Sequence, residues 1–556
     1  MSDKKEQRPP APTESPTPAG AKGRHPLVEM LIISAPTVVT MTSYTVMQFI
    51  DGMMVSRVKP ADPVNIAAQG NGGILVWVAI AAMIGVLSMV NTFVSQNLGA
   101  GTPKKGSAYA WAAIWLSIVA SILLIPYALA MPWFFTLMGH EPLLVELETE
   151  YAQILLMGAF FTIAGRGIAH YFFGMHRPAV VMVSVISANL FNVVLNAVLI
   201  FGKEGPPEGT PFREEFAAIA QGLDIEAMGI AGAALGTVLG TALEVAIPML
   251  VFLSPRWNRA YGTRHMWRPR WAPIKDILRV GWPAGLMMGN ELICWGYLMA
   301  VLLGAGGAAL VTAEPGLTGA ALGDAQAQEA VVHNAAGWIA LRYMHVSFMP
   351  AVGLSIAVSA MVGKAIGAGR HDEAARRAWL GLKVTLAYMG LCALAFIVFR
   401  EEMMSVFVPA DMSEQEAKAV LEVGATVMIA AAVFQLFDAM AITMSGALRG
   451  AGDTVWPGVV TIILSWVFIV GLGHLLIWLA PGLGSIGPWI GASAYIMALG
   501  LAMIGRFLWG PWRRIDLLAG TKGEGGGEGG ADTPIPETLV GEAGEEVVAG
   551  MTPGSA

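Results

Sequence analysis

Asp51, Glu244, Glu291 and Asp438 each stand inside a run of apolar residues long enough to cross a bilayer. An ionisable side chain at the bilayer centre costs about 2.5–3.5 kcal/mol even on the mildest insertion scale, so each needs a partner or a task. A carboxylate in an apolar setting can bind a proton near neutral pH. With carbonyl and amide oxygens around it, the same group can ligate a hard cation such as Na⁺. Glu291 follows Asn290 and lies two turns past the Gly281–Trp282–Pro283 break. Asp438 has Gln435 at i−3 and Ser445 two turns on, which makes a polar stripe along one helix face. Asp51 lies toward the outer end of its run, where a solvated helix end competes with a functional reading. Glu244 is preceded by glycines and is placed to pair with a neighbouring arginine.

Neutral and basic groups share these apolar runs. Asn189, Asn192 and Asn196 recur at spacings of three and four, so they share one helix face. Such a stripe serves either as hydrogen-bonded glue between helices or as the polar wall of a central cavity that coordinates substrate or ion. Arg166 with His170, and Arg342 with His345, are spaced to share a face as well, and their expected role is structural pairing with the acids. Cys294 and Cys392 fall in predicted helices without metal-ligand spacing, so neither a disulfide nor a metal site is expected.

The elements that must position these residues are membrane helices. Hydrophobic residues make up 55% of the chain, charged residues only 13%, and mean hydropathy is +0.61, which excludes an assembly of soluble domains. A bilayer core of roughly 30 Å takes about 20 residues at 1.5 Å each. Twelve runs meet that requirement, at about 28–57, 66–99, 108–132, 146–173, 179–202, 229–253, 274–304, 331–366, 376–399, 418–447, 455–480 and 485–509. The fold class is therefore all-α, polytopic, with twelve spans. Residues 1–26 are polar and proline-rich with no apolar core, which predicts a disordered cytoplasmic tail and not a signal peptide. Residues 513–556 begin basic and end in a glycine-rich acidic tail, and the two tails supply much of the formal charge of −7.

Loop charges alternate. Lys104–Lys105, the six basic residues from Arg256 to Lys275, the group Arg370, Arg376 and Arg377, and Arg513–Arg514 mark one side. Glu141 to Glu150, Glu204 to Glu226, and Glu401, Glu402 and Asp411 mark the other. Positive loops face the cytoplasm, so both termini are expected there. The segment GVLSMVNTFVSQNLGAG at 85–101 returns as GLSIAVSAMVGKAIGAG at 353–369, a constant offset that also aligns Trp111 with Trp379. Gly229, Gly232 and Gly236 align likewise with Gly484, Gly487 and Gly491, and Pro36 with Pro283. With six spans per half the copies have the same orientation, which is the parallel type of transporter repeat. The expected organisation is an N-lobe at 27–255, a cytoplasmic linker at 256–273 and a C-lobe at 274–512. Residues 203–227 and 305–330 are expected as outer loops.

At these residues the chain resembles the multidrug and toxic compound extrusion (MATE) family of cation-coupled efflux transporters. The resemblance covers roughly 27–510. It is carried by QFID ending at Asp51, VSQNLGAG at 94–101, NAVLIFG at 196–202 followed by GIAGAALGT at 229–237, GWP ahead of Glu291, FMPAVGLSIAVSAMVGKAIGAG at 348–369 and, most specifically, QLFDAMAITMSGALRGAGDT at 435–454. It implies a V-shaped bundle of two six-helix lobes around a central cleft and export of drugs in exchange for H⁺ or Na⁺. It also implies that Asp51 serves the N-lobe while Glu291 and Asp438 serve a C-lobe cation site, where Na⁺ is the candidate metal ion. Asn189, Asn192, Asn196 and Gln435 are the expected cavity-lining residues. Some members carry an Asp in the fifth span four residues after an Asn. Here Asn196 follows Asn192, which removes one titratable group from the N-lobe.

The expected function is a secondary antiporter working by alternating access, with no enzymatic activity. Its expected partners are small organic, amphipathic cations and the lipid bilayer, with no nucleic acid, no cofactor beyond the coupling ion, and a monomeric state in a bacterial inner membrane. One charge moving inward down ~100 mV contributes about 2.3 kcal/mol to such a cycle. The alternative is a flippase for lipid-linked oligosaccharides from the same superfamily, which would need more basic groups in the cavity to hold a pyrophosphate. A membrane-embedded transferase would need paired aspartates at short spacing in a cytoplasmic loop, and the sequence has none.

Overall fold

The computed structural model describes residues 25–58, 63–312, 318–407 and 414–519. The predicted tails at 1–26 and 513–556 lie mostly outside these residues, as does Asp411. Among the described residues twelve helical segments are long and apolar enough to cross a membrane, one of them a bent pair. Eleven are the helices Pro26–Val55, Val64–Gly99, Pro103–Leu129, Pro178–Glu204, Gly229–Leu253, Trp271–Val311, Gly319–Gly367, His371–Val398, Glu414–Ala451, Val455–Leu479 and Ile486–Trp509. The fourth crossing is a bent pair, Pro142–Met157 and Ala159–Gly174, with an angle of 46° at Gly158. Below, the crossings are numbered in chain order. Every expected span is found, and no strand occurs among the described residues.

The two expected outer loops are largely helical. Residues Leu303–Thr312 prolong the seventh crossing and the eighth begins at Gly319, because this alanine-rich stretch favours helix over loop. Within 203–227 the helix Arg213–Gly222 is clamped to the end of the fifth crossing by Lys203, which pairs with Asp224 and Glu226. Glu148, grouped by sequence with the loop acids, is fully buried in the fourth crossing, where it accepts from Asn71 Nδ2 at 2.6 Å and bonds His140 Nδ1 at 2.8 Å. The linker folds back on the third crossing, whose Ser107 and Trp111 donate to the carbonyls of Tyr261 and Thr263.

The repeated segment is where the lobes meet. A Cβ on Gly99 would stand 1.9 Å from the Lys364 carbonyl oxygen, and one on Gly367 would stand 1.9 Å from that of Gln96. These two contacts are repeat mates, since Gln96 aligns with Lys364 as Gly99 aligns with Gly367. A second mated pair lies deeper: Gly85 faces Ala284 of the seventh crossing and Gly353 faces Thr37 of the first. Helices that touch without an intervening side chain pack backbone to backbone, as small-residue interfaces in membranes do. Each segment ends on a glycine in the left-handed region, Gly101 at φ 75° and Gly369 at φ 72°, which lets Thr102 and Arg370 reach back to the carbonyls of Asn97 and Ala365. Hydrogen bonds then lock one lobe to the other. Asn91 donates to the Ile356 carbonyl, Thr92 to that of Arg449, Gln96 to that of Gly450, and His176 to that of Ala360. All of them lie at the end of the bundle that carries the repeated turns and the basic loops.

Candidate functional site: buried carboxylates in two lobes

Asp51 sits near the end of the first crossing, half-buried, and accepts from Asn196 Nδ2 at 2.7 Å. The same amide nitrogen donates to Asn192 Oδ1 at 3.1 Å, so two of the three striped asparagines form a chain behind the carboxylate. That chain is held by the sixth crossing. Gly236 leaves room for the Asn196 amide, Gly240 for Asn192, and Gly232 packs on the Leu199 carbonyl. Asn189 instead donates to Ser43 Oγ at 2.7 Å, which ties the fifth crossing to the first. The asparagine stripe is therefore both glue and, at its Asn196 end, part of the surroundings of Asp51.

Glu244 does not meet an arginine. Its carboxylate accepts from the Tyr44 hydroxyl, while Ser184 Oγ donates to its backbone carbonyl at 2.7 Å. Arg166 lies over the Tyr44 ring, 3.9 Å from the centroid, as a cation–π contact. Arg342 similarly lies over the Phe407 ring at 5.4 Å. The expected pairing of these arginines with the acids is thus replaced by stacking on aromatic faces. Among the described residues none of Asp51, Glu244, Glu291 and Asp438 has a basic group within salt-bridge distance.

In the C-lobe, Glu291 accepts from the Tyr495 hydroxyl of the twelfth crossing at 3.0 Å. Asp438 on the tenth crossing is 4% exposed, makes no side-chain hydrogen bond among the described residues, and lies within Coulombic range of Glu291. Gln435 is fully buried and donates to Ser347 Oγ at 2.6 Å, with its own Oε1 unpartnered, so it lines the lobe interior and not an open wall. Asn290 ties the seventh crossing to the eleventh, donating to Ser465 Oγ at 2.8 Å and accepting from Trp466 Nε1 at 2.8 Å. Both crossings are π-helical beside this junction, at Leu298–Leu302 and Ser465–Leu472. Wide turns of this kind mark places where a helix can shift register. No group of three or more His, Cys, Asp or Glu converges as a metal site among the described residues. A monovalent ion would therefore rest on one or two carboxylates and neighbouring hydroxyl and amide oxygens.

Glu291 and Asp438, expected to serve one cation site, lie on the seventh and tenth crossings, and nothing in the sequence pointed to Tyr44, Tyr495, Ser347 or Ser465 beside the polar groups. Tyrosines and serines in apolar spans are too common to signal a site. Their importance comes only from crossings distant in sequence.

The family model MatE matches residues 36–198 and 329–474, which together make more than half of the chain. The chain belongs to this family of membrane transporters. It is 26% identical over 499 residues to a probable multidrug resistance protein NorM of Mesorhizobium japonicum, covering 88% of this chain and 94% of that protein. It is 26% identical over 488 residues to the multidrug resistance protein PmpM of Pseudomonas aeruginosa, covering 86% of this chain and 90% of that protein. Among solved structures, the outward-facing conformation of a multidrug resistance MATE family transporter superposes with a TM-score of 0.71 at 21% identity over 88% of this chain and 96% of that one. The eukaryotic MATE transporter AtDTX14 superposes with a TM-score of 0.70 at 16% identity over 88% and 97%. The twelve-crossing, two-lobe fold of this MATE protein is thus the fold of those transporters.

Proposed function

We propose that this MATE protein exports organic, amphipathic cations across a bacterial inner membrane in exchange for H⁺ or Na⁺, with both termini in the cytoplasm. One observation supports the reading: Glu291 and Asp438 both lie inside the C-lobe within Coulombic range of each other, and among the described residues neither forms an ion pair. Two carboxylates within Coulombic range of each other repel, and a proton or a monovalent cation relieves that repulsion. The lobes are joined at the basic end by the Gly99–Gly367 crossing, and this supports an outward-facing assignment in which the carboxylates load from outside. Loading weakens the hold of the same charges on a cationic substrate, which leaves, and the lobes then rock about the glycine crossing. The names of the NorM and PmpM relatives support the multidrug substrate class.

The test is efflux of a panel of cationic dyes from proteoliposomes with an imposed proton or sodium gradient, comparing the parent protein with Asp51→Asn, Glu291→Gln and Asp438→Asn. Loss of coupled efflux in the last two, with Asp51→Asn retaining it, places coupling in the C-lobe. If neither gradient drives efflux of any cation, the antiporter reading fails.

A further inference from the structure

The connection between the fifth and sixth crossings carries an apolar stripe that the described residues leave largely uncovered. Phe212, Phe216, Ile219 and Leu223 recur at i, i+4, i+7 and i+11 along the helix Arg213–Gly222, so they share one face. Phe212, Ile219 and Leu223 are 69%, 42% and 66% exposed, and the Phe216 ring stands edge-on to that of Phe212 at 6.5 Å. The helix rests on the protein through its small residues instead: Ala220 is fully buried, and Ala217 packs on Gly205. Glu214 and Ala218 occupy the flank opposite the stripe and are exposed.

The fold fixes the height of this helix. The fifth crossing, Pro178–Glu204, has 27 residues, about 40 Å at 1.5 Å each, enough for the hydrocarbon core and both headgroup layers. Its end at Glu204 therefore stands at headgroup level. The sixth crossing starts from the same level, where the Met228 amide donates to the Leu199 carbonyl at 2.9 Å. Between these points the short helix is tied back at both of its ends. Arg213 Nε donates to the Pro206 carbonyl at 2.7 Å, Gln221 to the Lys203 carbonyl at 3.4 Å, and Lys203 Nζ holds Asp224 at 2.6 Å. So tethered, the helix lies along the bilayer surface and does not rise into bulk water.

From this placement we infer that the helix Arg213–Gly222 is an interfacial anchor, its Phe212–Leu223 stripe seated in the lipid leaflet at the acidic end of the bundle. An amphipathic helix held at that height buries its apolar face at the boundary of headgroups and acyl chains. The surface continuous with the stripe is the same lipid that surrounds the two crossings it joins. Charge takes no part in the attraction, because residues 203–226 carry Lys203 and Arg213 against six acids. Apolar area alone seats the helix, so neutral lipid suffices. The matching C-lobe connection, between the eleventh and twelfth crossings, holds only the short turn Pro481–Leu483, so the anchor belongs to one lobe.

Power-saturation EPR of the full chain in neutral phosphatidylcholine vesicles tests it. Nitroxides are placed one at a time by Ile219→Cys, Leu223→Cys, Glu214→Cys and Ala218→Cys in a Cys294→Ala, Cys392→Ala background. If that background fails to fold, the native cysteines are kept and the signal of the labelled parent protein is subtracted. Molecular oxygen concentrates in the bilayer, whereas Ni-EDDA stays in water. At Ile219 and Leu223 relaxation by oxygen should exceed relaxation by Ni-EDDA, and at Glu214 and Ala218 the order should reverse. Ni-EDDA dominant at all four positions puts the stripe in water and overturns the anchor. Stripe labels shielded from both reagents place a protein surface over them, a second copy of this chain or another partner, and overturn it as well. A contrast that appears only after anionic phospholipid is added also overturns it, because apolar area would then not be what seats the helix.

Discussion

Replacing Gly99 by alanine should open the seal between the lobes. The added Cβ would stand 1.9 Å from the Lys364 carbonyl oxygen, whereas ordinary contact begins at 3.4 Å, so the helices must part by about 1.5 Å. That carbonyl belongs to helix backbone and cannot swing away. The hydrogen bonds from Thr92 and Gln96 to the tenth crossing, both 2.9 Å, lie within two turns of the clash and would stretch beyond useful length. At about 1 kcal/mol each, their loss destabilises the sealed state by about 2 kcal/mol, a shift of roughly thirtyfold in the balance between sealed and open states. Spin labels on Thr102 and Arg370, repeat mates at the two turns, read this as a second, longer distance population. Gly367→Ala should do the same from the other side, and the double variant should add little, because one separation relieves both clashes. An unchanged distance distribution in a folded Gly99→Ala protein would refute the claim that this crossing holds the lobes together.

Other outcomes follow from the same geometry. Gly236→Ala places a Cβ 2.0 Å from Asn196 Oδ1, so Asn196 must leave Asp51; efflux should change only as far as it does in Asp51→Asn, and a larger loss would mean that the glycine has another role. Asn196→Asp sets a second carboxyl against Asp51, and the pair must then share a proton; efflux should gain a new pH dependence that disappears on adding Asp51→Asn. Asn290→Ala strands the Trp466 indole and the Ser465 hydroxyl, costing about 1–3 kcal/mol, and a lowered Tm in detergent checks it. His176, in the turn between the fourth and fifth crossings, donates to the Ala360 carbonyl, and burial beside Lys364 pushes its pKa from 6.5 down to about 3. The unfolded chain takes up this proton first, so the stabilisation is complete above pH 6.5 and declines as pH falls toward 3. Between pH 6.5 and 5 the Tm of the parent protein should therefore fall more steeply than that of His176→Gln.

The sequence by itself determined the twelve crossings, the duplication and the buried acids. Those features are written in composition and period: an apolar run of bilayer length admits only a helix, and the repeat of Gly99 at Gly367 is visible without coordinates. The sequence also made Gly229 to Gly236 a close-packing face, which Gly232 and Gly236 became against the fifth crossing. It erred where local composition outweighed burial, as with Glu148, counted among the loop acids but enclosed by Asn71 and His140. Only the tertiary structure decided what each acid touches. Glu244 took Tyr44 and not an arginine, Glu291 took Tyr495 from more than two hundred residues away, and Asp51 took Asn196 of the fifth crossing. The reason is physical: helix periodicity sets which face a residue shares with its neighbours in sequence, whereas pairing depends on how helices far apart in the chain cross. The glycine repeat gives those crossings their closeness, and the unequal polar groups behind it give each lobe its own chemistry.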